Sequence, residues 1–407
     1  NGVILVTTKR GAIRQKSVTA GVEYGIQQAT RIPGFLGAND YVSLYNEASL
    51  NDGLQSFYSS ADIDGYKRSA GVNDPVYPSA DYRNIFLNDN ASYRKATVQM
   101  IGGELRTKYA FTLGYTGGTG IEKVGSATDM NRLNLRANLD VDVTDYLKLQ
   151  ADVASMITLR SSGVLTDGEL FSSLSTLRPN EYTFQYDPAY LADYGIALDA
   201  EEMVFGASKR NVNNLYQQTF VGGAAATRSA SSEANLALLL DLNNYVPGLT
   251  AHAKVTFDDY TTLTQKQTNK YQTYMLDRYV DASGDLQKRY TMVQKTNLPK
   301  NQSISSSGTY RYLTVDGGAD YKHDFDGNVL DLGASYKYML EEKTGSAQDV
   351  KNMNIAFRAS YDIKNKYMDG QDHWISAEEA LDLGFIDGIY ENNNTVSCCL
   401  RLSSEHF

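Results

Sequence analysis

Apolar and polar residues alternate with a period of two along most of the chain from residue 94 onward. The segment NRLNLRANLDVDV places leucine, alanine and valine on one face, and arginine, asparagine and aspartate on the other. Thr144 and Asp145 then turn the chain, and YLKLQADVA resumes the alternation, which indicates an antiparallel hairpin with a short turn. The pattern predicts strands with one face toward hydrocarbon and the other toward water.

The same hairpin unit recurs, and we count about ten strands near the length that crosses a bilayer when tilted. The strand segments are KATVQM with TKYAFTLGY, ANLALLLDL with LTAHAKVTF, and YLTVDGGADY with LDLGASYKYM, followed by NMNIAFRASYDI. Tight turns near residues 102, 144, 243 and 325 alternate with long polar excursions over 117–130, 160–231 and 262–306. This asymmetry is typical of a membrane barrel with short periplasmic turns and long extracellular loops. A soluble β-sandwich is the alternative.

A barrel places the two faces of each strand in different surroundings. We therefore expect the leucines of the alternating segments to point outward and the charged residues to point to the concave side. The outward set is Leu133, Leu135, Leu139, Leu236, Leu238 and Leu240, and the inward set is Arg132, Arg136, Asp140 and Lys254. Leucines packed between two stacked sheets would instead indicate a sandwich.

Composition narrows the class of protein. The 407 residues include 30 tyrosines and 33 glycines but one tryptophan, which is typical of alternating strands with aromatic girdles. No apolar run approaches the ~18 residues of a transmembrane helix, so a helical membrane protein is excluded. The net charge of -10 and the scattered basic residues argue against nucleic-acid binding. Cys398 and Cys399 are adjacent and late, so residues 1–397 have no disulfide or thiol chemistry.

Several segments together carry a resemblance to a known family. The opening NGVILVTTKRG, with its apolar run from Val3 to Thr7, resembles the closing strand of the plug domain in the SusC/RagA family of TonB-linked outer-membrane proteins. NDYVSLYNEASLNDG (39–53) is similar to that family's helix after the first barrel strand. Residues 79–125 and then NRLNLRANLDVDVTDYLKLQADV are similar to its next two hairpins. The resemblance covers roughly residues 1–367.

The resemblance implies a fold, a function and partners. The fold is all-β: a partial antiparallel transmembrane β-barrel of the TonB-dependent receptor type, with residues 1–11 as the last plug strand and 12–368 as the first part of the barrel. The function is import of oligosaccharides or peptides across the outer membrane of a Gram-negative, Bacteroidota-like cell. The partners are outer-membrane lipid, a SusD-type surface lipoprotein and the TonB–ExbB–ExbD complex. We expect the chain to be a fragment that does not insert or transport alone.

Two alternatives stay open. A passive porin or adhesin-type barrel needs no plug, and the opening strand argues against it. The segment GQDHWISAEEALDLGFIDGI (370–389) predicts a helix with a capping box at Ser376 and Glu379. It resembles the C-terminal region of Clp-type serine proteases, and Asp372 then matches the aspartate of the catalytic triad. No nucleophile accompanies it, so we expect no enzyme activity, no catalytic residue, and a helical tail over 369–407 that is unrelated to the barrel.

Two loop-like motifs have ordinary structural explanations. HDFDGN places Asp324 and Asp326 before Gly327, like the start of a calcium loop, but the later ligands of such a loop are missing. A hairpin turn is the favoured interpretation. GYTGGTG (114–120) lacks the lysine and the helix of a phosphate-binding loop, so we interpret it as the foot of an outer loop.

Histidine and tyrosine residues on the strands are the last candidates. His252 lies on the polar face with Lys254 and Asp258 but has no second ligand at metal spacing, so we interpret it as a solvated lumen residue. Strand tyrosines could stack on sugars in a lumen, although those on the apolar face are expected in the interfacial girdle. These are Tyr109, Tyr115, Tyr336, Tyr338 and Tyr361. The sequence predicts no metal and no cofactor, and it leaves the substrate-binding residues unknown.

Overall fold

The computed structural model describes residues 9–13, 16–283, 286–325, 328–346 and 348–363, and two short segments further on. The chain consists of long strands with helices in the connections between them. The strands are β1 (Ser17–Gln28), β2 (Asn90–Gly103), β3 (Thr107–Thr119), β4 (Asp129–Asp142), β5 (Leu147–Ser162), β6 (Gln185–Tyr186), β7 (Val204–Ala207), β8 (Gly223–Asp241), β9 (Leu249–Thr268), β10 (Thr273–Val280), β11 (Leu286–Gln294), β12 (Ser303–Phe325), β13 (Asn328–Lys343), β14 (Val350–Ile363), β15 (His373–Ile375) and β16 (Leu400–Leu402). The helices are α1 (Ala38–Asn51), α2 (Ser60–Lys67), α3 (Tyr82–Phe86), α4 (Asp167–Thr176), α5 (Pro188–Ala192) and α6 (Leu215–Phe220).

Ten strands form one antiparallel sheet in the order β1-β2-β3-β4-β5-β8-β9-β12-β13-β14. Strands that are neighbours in this sheet are also consecutive along the chain, if β6, β7, β10 and β11 are left out of the order. In the part of the chain that the structure describes, β1 and β14 each pair on one side only. The predicted all-β class and the predicted number of barrel strands are confirmed.

The register separates the two predicted faces. Leu133 of β4 lies opposite Ile157 of β5, and Leu236 of β8 lies opposite Val255 of β9. All six predicted leucines share this face, and four of them (Leu133, Leu139, Leu236 and Leu238) are 38% to 48% exposed. An exposed apolar face is what a barrel wall presents to lipid, whereas a sandwich would bury it against a second sheet. The barrel interpretation is therefore confirmed over the sandwich.

The strands are longer than the alternation predicts. β9 has 20 residues and β12 has 23, although a tilted strand needs only about 9–11 to cross a bilayer. The extra residues are rich in serine and threonine, and their hydroxyl groups pair between strands: Thr227 with Thr264, and Ser229 with Thr262, each at 3.0 Å. The excursions therefore occupy 120–128, 163–222 and 269–302, and the longer loop ranges predicted from the sequence are wrong at their ends.

The connections 29–89, 163–222 and 269–302, which we call the first, second and third excursions, form a packed unit that we call the cap. Phe86 of the first excursion packs with Leu170 and Phe184 of the second in one hydrophobic cluster. A second cluster joins Leu191 of the second excursion to Tyr274 of the third. A four-stranded sheet, β11-β10-β7-β6, also connects the second and third excursions. Interpreting these segments only as polar loops was therefore incomplete.

The remaining structural predictions have mixed outcomes. α1 occupies the stretch for which the resemblance implies a helix, and Phe325 pairs with Asn328, so β12 and β13 form the favoured hairpin. Within the described residues, β15 and β16 pair only with each other. The strand expected at 3–7, the helix expected from Ser376, and residues Asp326, Gly327 and Asp372 lie outside the described residues.

None of the helices among the described residues is long and apolar enough to cross a membrane.

Candidate functional site

The polar face of the ten-stranded sheet gathers charged residues from strands that are far apart in sequence. Arg132, Arg136 and Asp140 of β4 and Lys254 of β9 share this face, as predicted. A cavity of about 430 Å³ lies on it and is lined by residues that include Thr112, Asn134, Arg136 and Glu233. The polar face is therefore the hollow side of the sheet, while the leucine face is the exposed outer side.

The opening segment is tied to this polar face. Arg10 donates from Nη1 to Asp140 Oδ1 and from Nη2 to Asp152 Oδ2, both at 2.7 Å. Asn138 Nδ2 donates to the carbonyl oxygen of Lys9 at 2.7 Å. A Cβ on Gly11 would lie 2.3 Å from the carbonyl oxygen of Gly102, so only glycine fits there. Because guanidinium is a rigid fork, one arginine holds two carboxylates and fixes the segment against β4 and β5.

Other charged residues on the polar face pair close to the tight turns. His252 Nε2 lies 3.1 Å from Asp316 Oδ1. Arg358 Nη2 lies 3.2 Å from Asp320 Oδ1 and 2.9 Å from Asp331 Oδ1. His252 is thus a partly solvated residue of the polar face with a carboxylate partner that the sequence did not indicate. Among the described residues, no group of three or more histidine, cysteine, aspartate or glutamate side chains is placed to hold a metal ion.

The tyrosines singled out in the sequence lie on the apolar face. Tyr109 and Tyr115 lie opposite Leu139 and Leu133. The other three, Tyr336, Tyr338 and Tyr361, lie opposite Ile355, Met353 and Leu330. This placement agrees with the interfacial girdle.

A different set of tyrosines lies on the polar face, and sequence reasoning missed it. Tyr260 of β9 is opposite Tyr310 of β12, and Tyr312 is opposite Asp258. The rings of Tyr310 and Tyr312 are parallel within 6°, with centroids 6.5 Å apart. The sequence does contain a signal for this set, namely the period of two. Tyr260 is an even number of residues from Lys254 in β9, and Tyr310 and Tyr312 are an even number from Asp316 in β12, so all three share the polar face.

The glycine-rich motif at 114–120 is mostly strand, and it ends where the connection 120–128 begins. β3 continues to Thr119, where it pairs with Asp129. A Cβ on Gly117 would lie 2.6 Å from Arg94 Nε. The missing side chain therefore leaves room for Arg94, whose Nη2 lies 3.1 Å from Asp129 Oδ1.

Buried polar residues hold the cap together. Asn214 is fully buried, and its Nδ2 donates to the carbonyl oxygens of Thr183, Phe184 and Gly206 at 2.8 to 3.1 Å. Since these carbonyl groups belong to two separate stretches of the second excursion, one amide fixes both.

A single arginine connects the first and third excursions of the cap. Arg278 forms an ion pair with Asp62 and donates to the carbonyl oxygen of Val76 at 2.7 Å. Its guanidinium lies 4.8 Å from the centroid of the Tyr77 ring, within cation–π range. Burial raises the pKa of the neighbouring Tyr66 to about 12, so its hydroxyl stays neutral at physiological pH.

Comparisons with known proteins bear on the fold. No protein-family model matches the chain, and no curated protein matches it. The chain is similar to a solved chain of the RagAB peptide transporter, with 16% identity and a TM-score of 0.54, over 88% of this chain and 42% of that chain. It is also similar to the RagAB peptide importer in the open-open state, with 16% identity and a TM-score of 0.53, over 88% of this chain and 41% of that chain.

The chain therefore spans less than half the length of the RagAB chains that it matches. Likeness at this level of identity shows the fold and not the substrate. Together with the two faces of the sheet, it shows an all-β chain whose ten strands form a partial antiparallel transmembrane β-barrel of the kind found in the RagAB transporter.

Proposed function

We propose that the chain is part of a TonB-dependent outer-membrane transporter of the SusC/RagA type, which imports oligosaccharides or peptides. The observation that carries the proposal is a barrel wall with an apolar outer face and a hollow charged face, to which Arg10 ties the opening segment. The fold shared with the RagAB peptide transporter supports it. Transport is proposed for the whole protein, since the chain covers less than half of that transporter chain.

Each part of the geometry has a role in this proposal. The leucine face lies in lipid, and the charged face lines a path that a hydrated solute can follow. The two carboxylates that Arg10 contacts anchor the end of the plug to the wall. The TonB–ExbB–ExbD complex then supplies the energy that moves the plug in the outer membrane of a Gram-negative, Bacteroidota-like cell.

Uptake by cells tests this function. A strain that produces the whole protein should take up labelled oligosaccharides or peptides only when TonB is present. A passive porin or an adhesin-type barrel would not depend on TonB, so uptake that persists unchanged after TonB is deleted contradicts the proposal. An otherwise identical strain that lacks the protein is the control.

We also propose that a SusD-type lipoprotein covers the cap. Exposed apolar side chains on its second and third excursions, such as Val212 and Leu298, are available for such a contact. The changes Val212→Glu and Leu298→Glu should reduce the amount of an acylated lipoprotein that co-purifies in mild detergent. Tyr245→Glu, in a tight turn, is the matched control and should not. Purification of the unchanged protein without any lipoprotein would contradict this partner.

A further inference from the structure

Three tyrosines form an exposed aromatic surface on the polar face, which we call the tyrosine platform (Tyr260, Tyr310 and Tyr312). Tyr260 and Tyr310 lie opposite each other in neighbouring strands and are 42% and 36% exposed. Tyr312 stacks on Tyr310 along β12. Large aromatic rings exposed among charged side chains bury little surface within the described part of the chain, so packing there does not explain their position.

Hydrogen-bonding groups border the platform. Tyr312 lies between Asp258 of β9 and Glu341 of β13 in the register. Asp258 in turn lies opposite Glu233 of β8. Two carboxylates directly opposite each other destabilise a sheet. Neither Asp258 nor Glu233 forms a salt bridge within the described part of the chain. They are therefore acceptors on the hollow side that can receive hydrogen bonds from a ligand.

The platform lies next to the cavity of about 430 Å³ on the polar face. Ser231 and Glu233 line that cavity, and they lie opposite Tyr260 and Asp258 of β9. Neighbouring strands are about 4.8 Å apart, so β8 and β12 are separated by about 10 Å. The cavity and the platform therefore border each other and form one strip across the strands.

We propose that this strip binds a neutral oligosaccharide. The apolar C–H faces of its rings stack on the tyrosine platform, and its hydroxyl groups donate to Glu233 and Asp258. Arg136 and Lys254 share the same face and balance these two carboxylates, which favours an uncharged ligand over a charged peptide. The inference specifies the substrate class and rests on the proposed transport function, but binding itself requires neither TonB nor a lipoprotein.

Binding to the purified whole protein tests the proposal. The protein is held in lauryl dimethylamine oxide, because a sugar-based detergent would compete, and is titrated with maltohexaose, xylohexaose and mannohexaose by calorimetry. Hexapeptides of neutral, acidic and basic composition form the second arm. We expect saturable binding of at least one hexasaccharide and of no hexapeptide.

Substitutions then locate the site. Tyr260→Ala, Tyr310→Ala and Tyr312→Ala should each weaken hexasaccharide binding about three- to tenfold, the loss expected for one aromatic contact. The corresponding changes to phenylalanine keep the ring and should retain most of the affinity. Tyr338→Ala, on the outer face of β13, is the matched control and should change nothing. Circular dichroism of each variant shows whether it has folded, and the phenylalanine variants keep the test informative if an alanine variant does not.

The outcomes distinguish this inference from the proposed function. Binding of hexapeptides without hexasaccharides overturns the inference and leaves the importer proposal standing. Absence of binding in both arms, or hexasaccharide binding that the three alanine variants do not affect, also overturns it. Hexasaccharide binding that depends on the platform, combined with TonB-independent uptake, would support the inference and contradict the proposed function.

Discussion

At the scale of single residues, the carboxylate of Asp74 shows how hydrogen bonds to backbone N–H groups stabilise the cap in addition to its hydrophobic clusters. Partial burial acts to raise the pKa of Asp74, but the backbone N–H groups of Ala70, Tyr77 and Val76 donate to its carboxylate and hold the pKa below its ordinary value. A pKa that is lower in the folded state stabilises the fold above the unfolded-state pKa. That stabilisation is lost as the pH falls through the folded-state pKa.

The change Asp74→Asn tests this role. It should lower the free energy of unfolding by about 1 kcal/mol at neutral pH, a modest value because solvent screens the partly exposed carboxylate. The difference should shrink toward zero in acid, where the wild-type carboxyl is itself protonated. Urea unfolding of the cap, followed by hydrogen exchange at neutral and acidic pH, measures it. Asp64→Asn removes an exposed carboxylate paired with Lys67 and should have little effect at either pH. An equal loss at both pH values for Asp74→Asn would contradict the argument.

At the scale of elements, the sequence predicted the barrel strands better than the cap. Leu133 and Arg132 alternate because one side of β4 meets hydrocarbon and the other meets water, so the period of two is visible in the sequence. β7 is a strand of four buried residues, VFGA, and a run that short and uniform carries no period.

The contacts of the candidate site required the structure for a related reason. Arg10 and Asp140 are 130 residues apart, and His252 and Asp316 are 64 apart. Only the strand order and register bring such pairs together. The sequence predicted that Asp140 would be on the inward side, but its partner could not be inferred from alternation alone.

The buried amide of Asn214 should control the stability of the cap as an element. Asn214→Ala removes the donor shared by three carbonyl groups and also the cap of α6, where Oδ1 accepts from Gln217 N–H. We expect a loss of about 2–3 kcal/mol in the local free energy of opening, measured by hydrogen exchange of residues 183–206. Asn73→Ala, at an exposed asparagine that accepts one hydrogen bond, is the control and should cost far less. Unchanged protection in the Asn214 variant would show that packing alone holds this region.

At the scale of the whole molecule, the described part of the sheet has two edges that pair on one side only. Their side chains are very exposed, with Val22 of β1 at 85% and Phe357 of β14 at 82%. Unpaired backbone groups in lipid each cost several kcal/mol, so strands in a membrane need neighbours on both sides. The proposed function accounts for these edges, because in a longer transporter chain further barrel strands would pair with both.

The assignment of the two faces leads to a direct test of membrane insertion by the whole protein. Leu236 and Asn235 are adjacent in β8, and their side chains lie on the apolar and polar faces respectively. Leu236→Arg should destabilise the inserted barrel by about 2–4 kcal/mol, because the charge would face hydrocarbon. Asn235→Arg should be tolerated, since it introduces the same charge on the hollow side, opposite Asp152. Urea titration of the protein refolded in lipid vesicles, followed by heat-modifiable electrophoretic mobility, measures both. Equal destabilisation by the two arginines would show that the two faces do not differ in their surroundings. Failure of the Asn235 variant alone would show that the faces are assigned the wrong way. Either result contradicts the barrel interpretation.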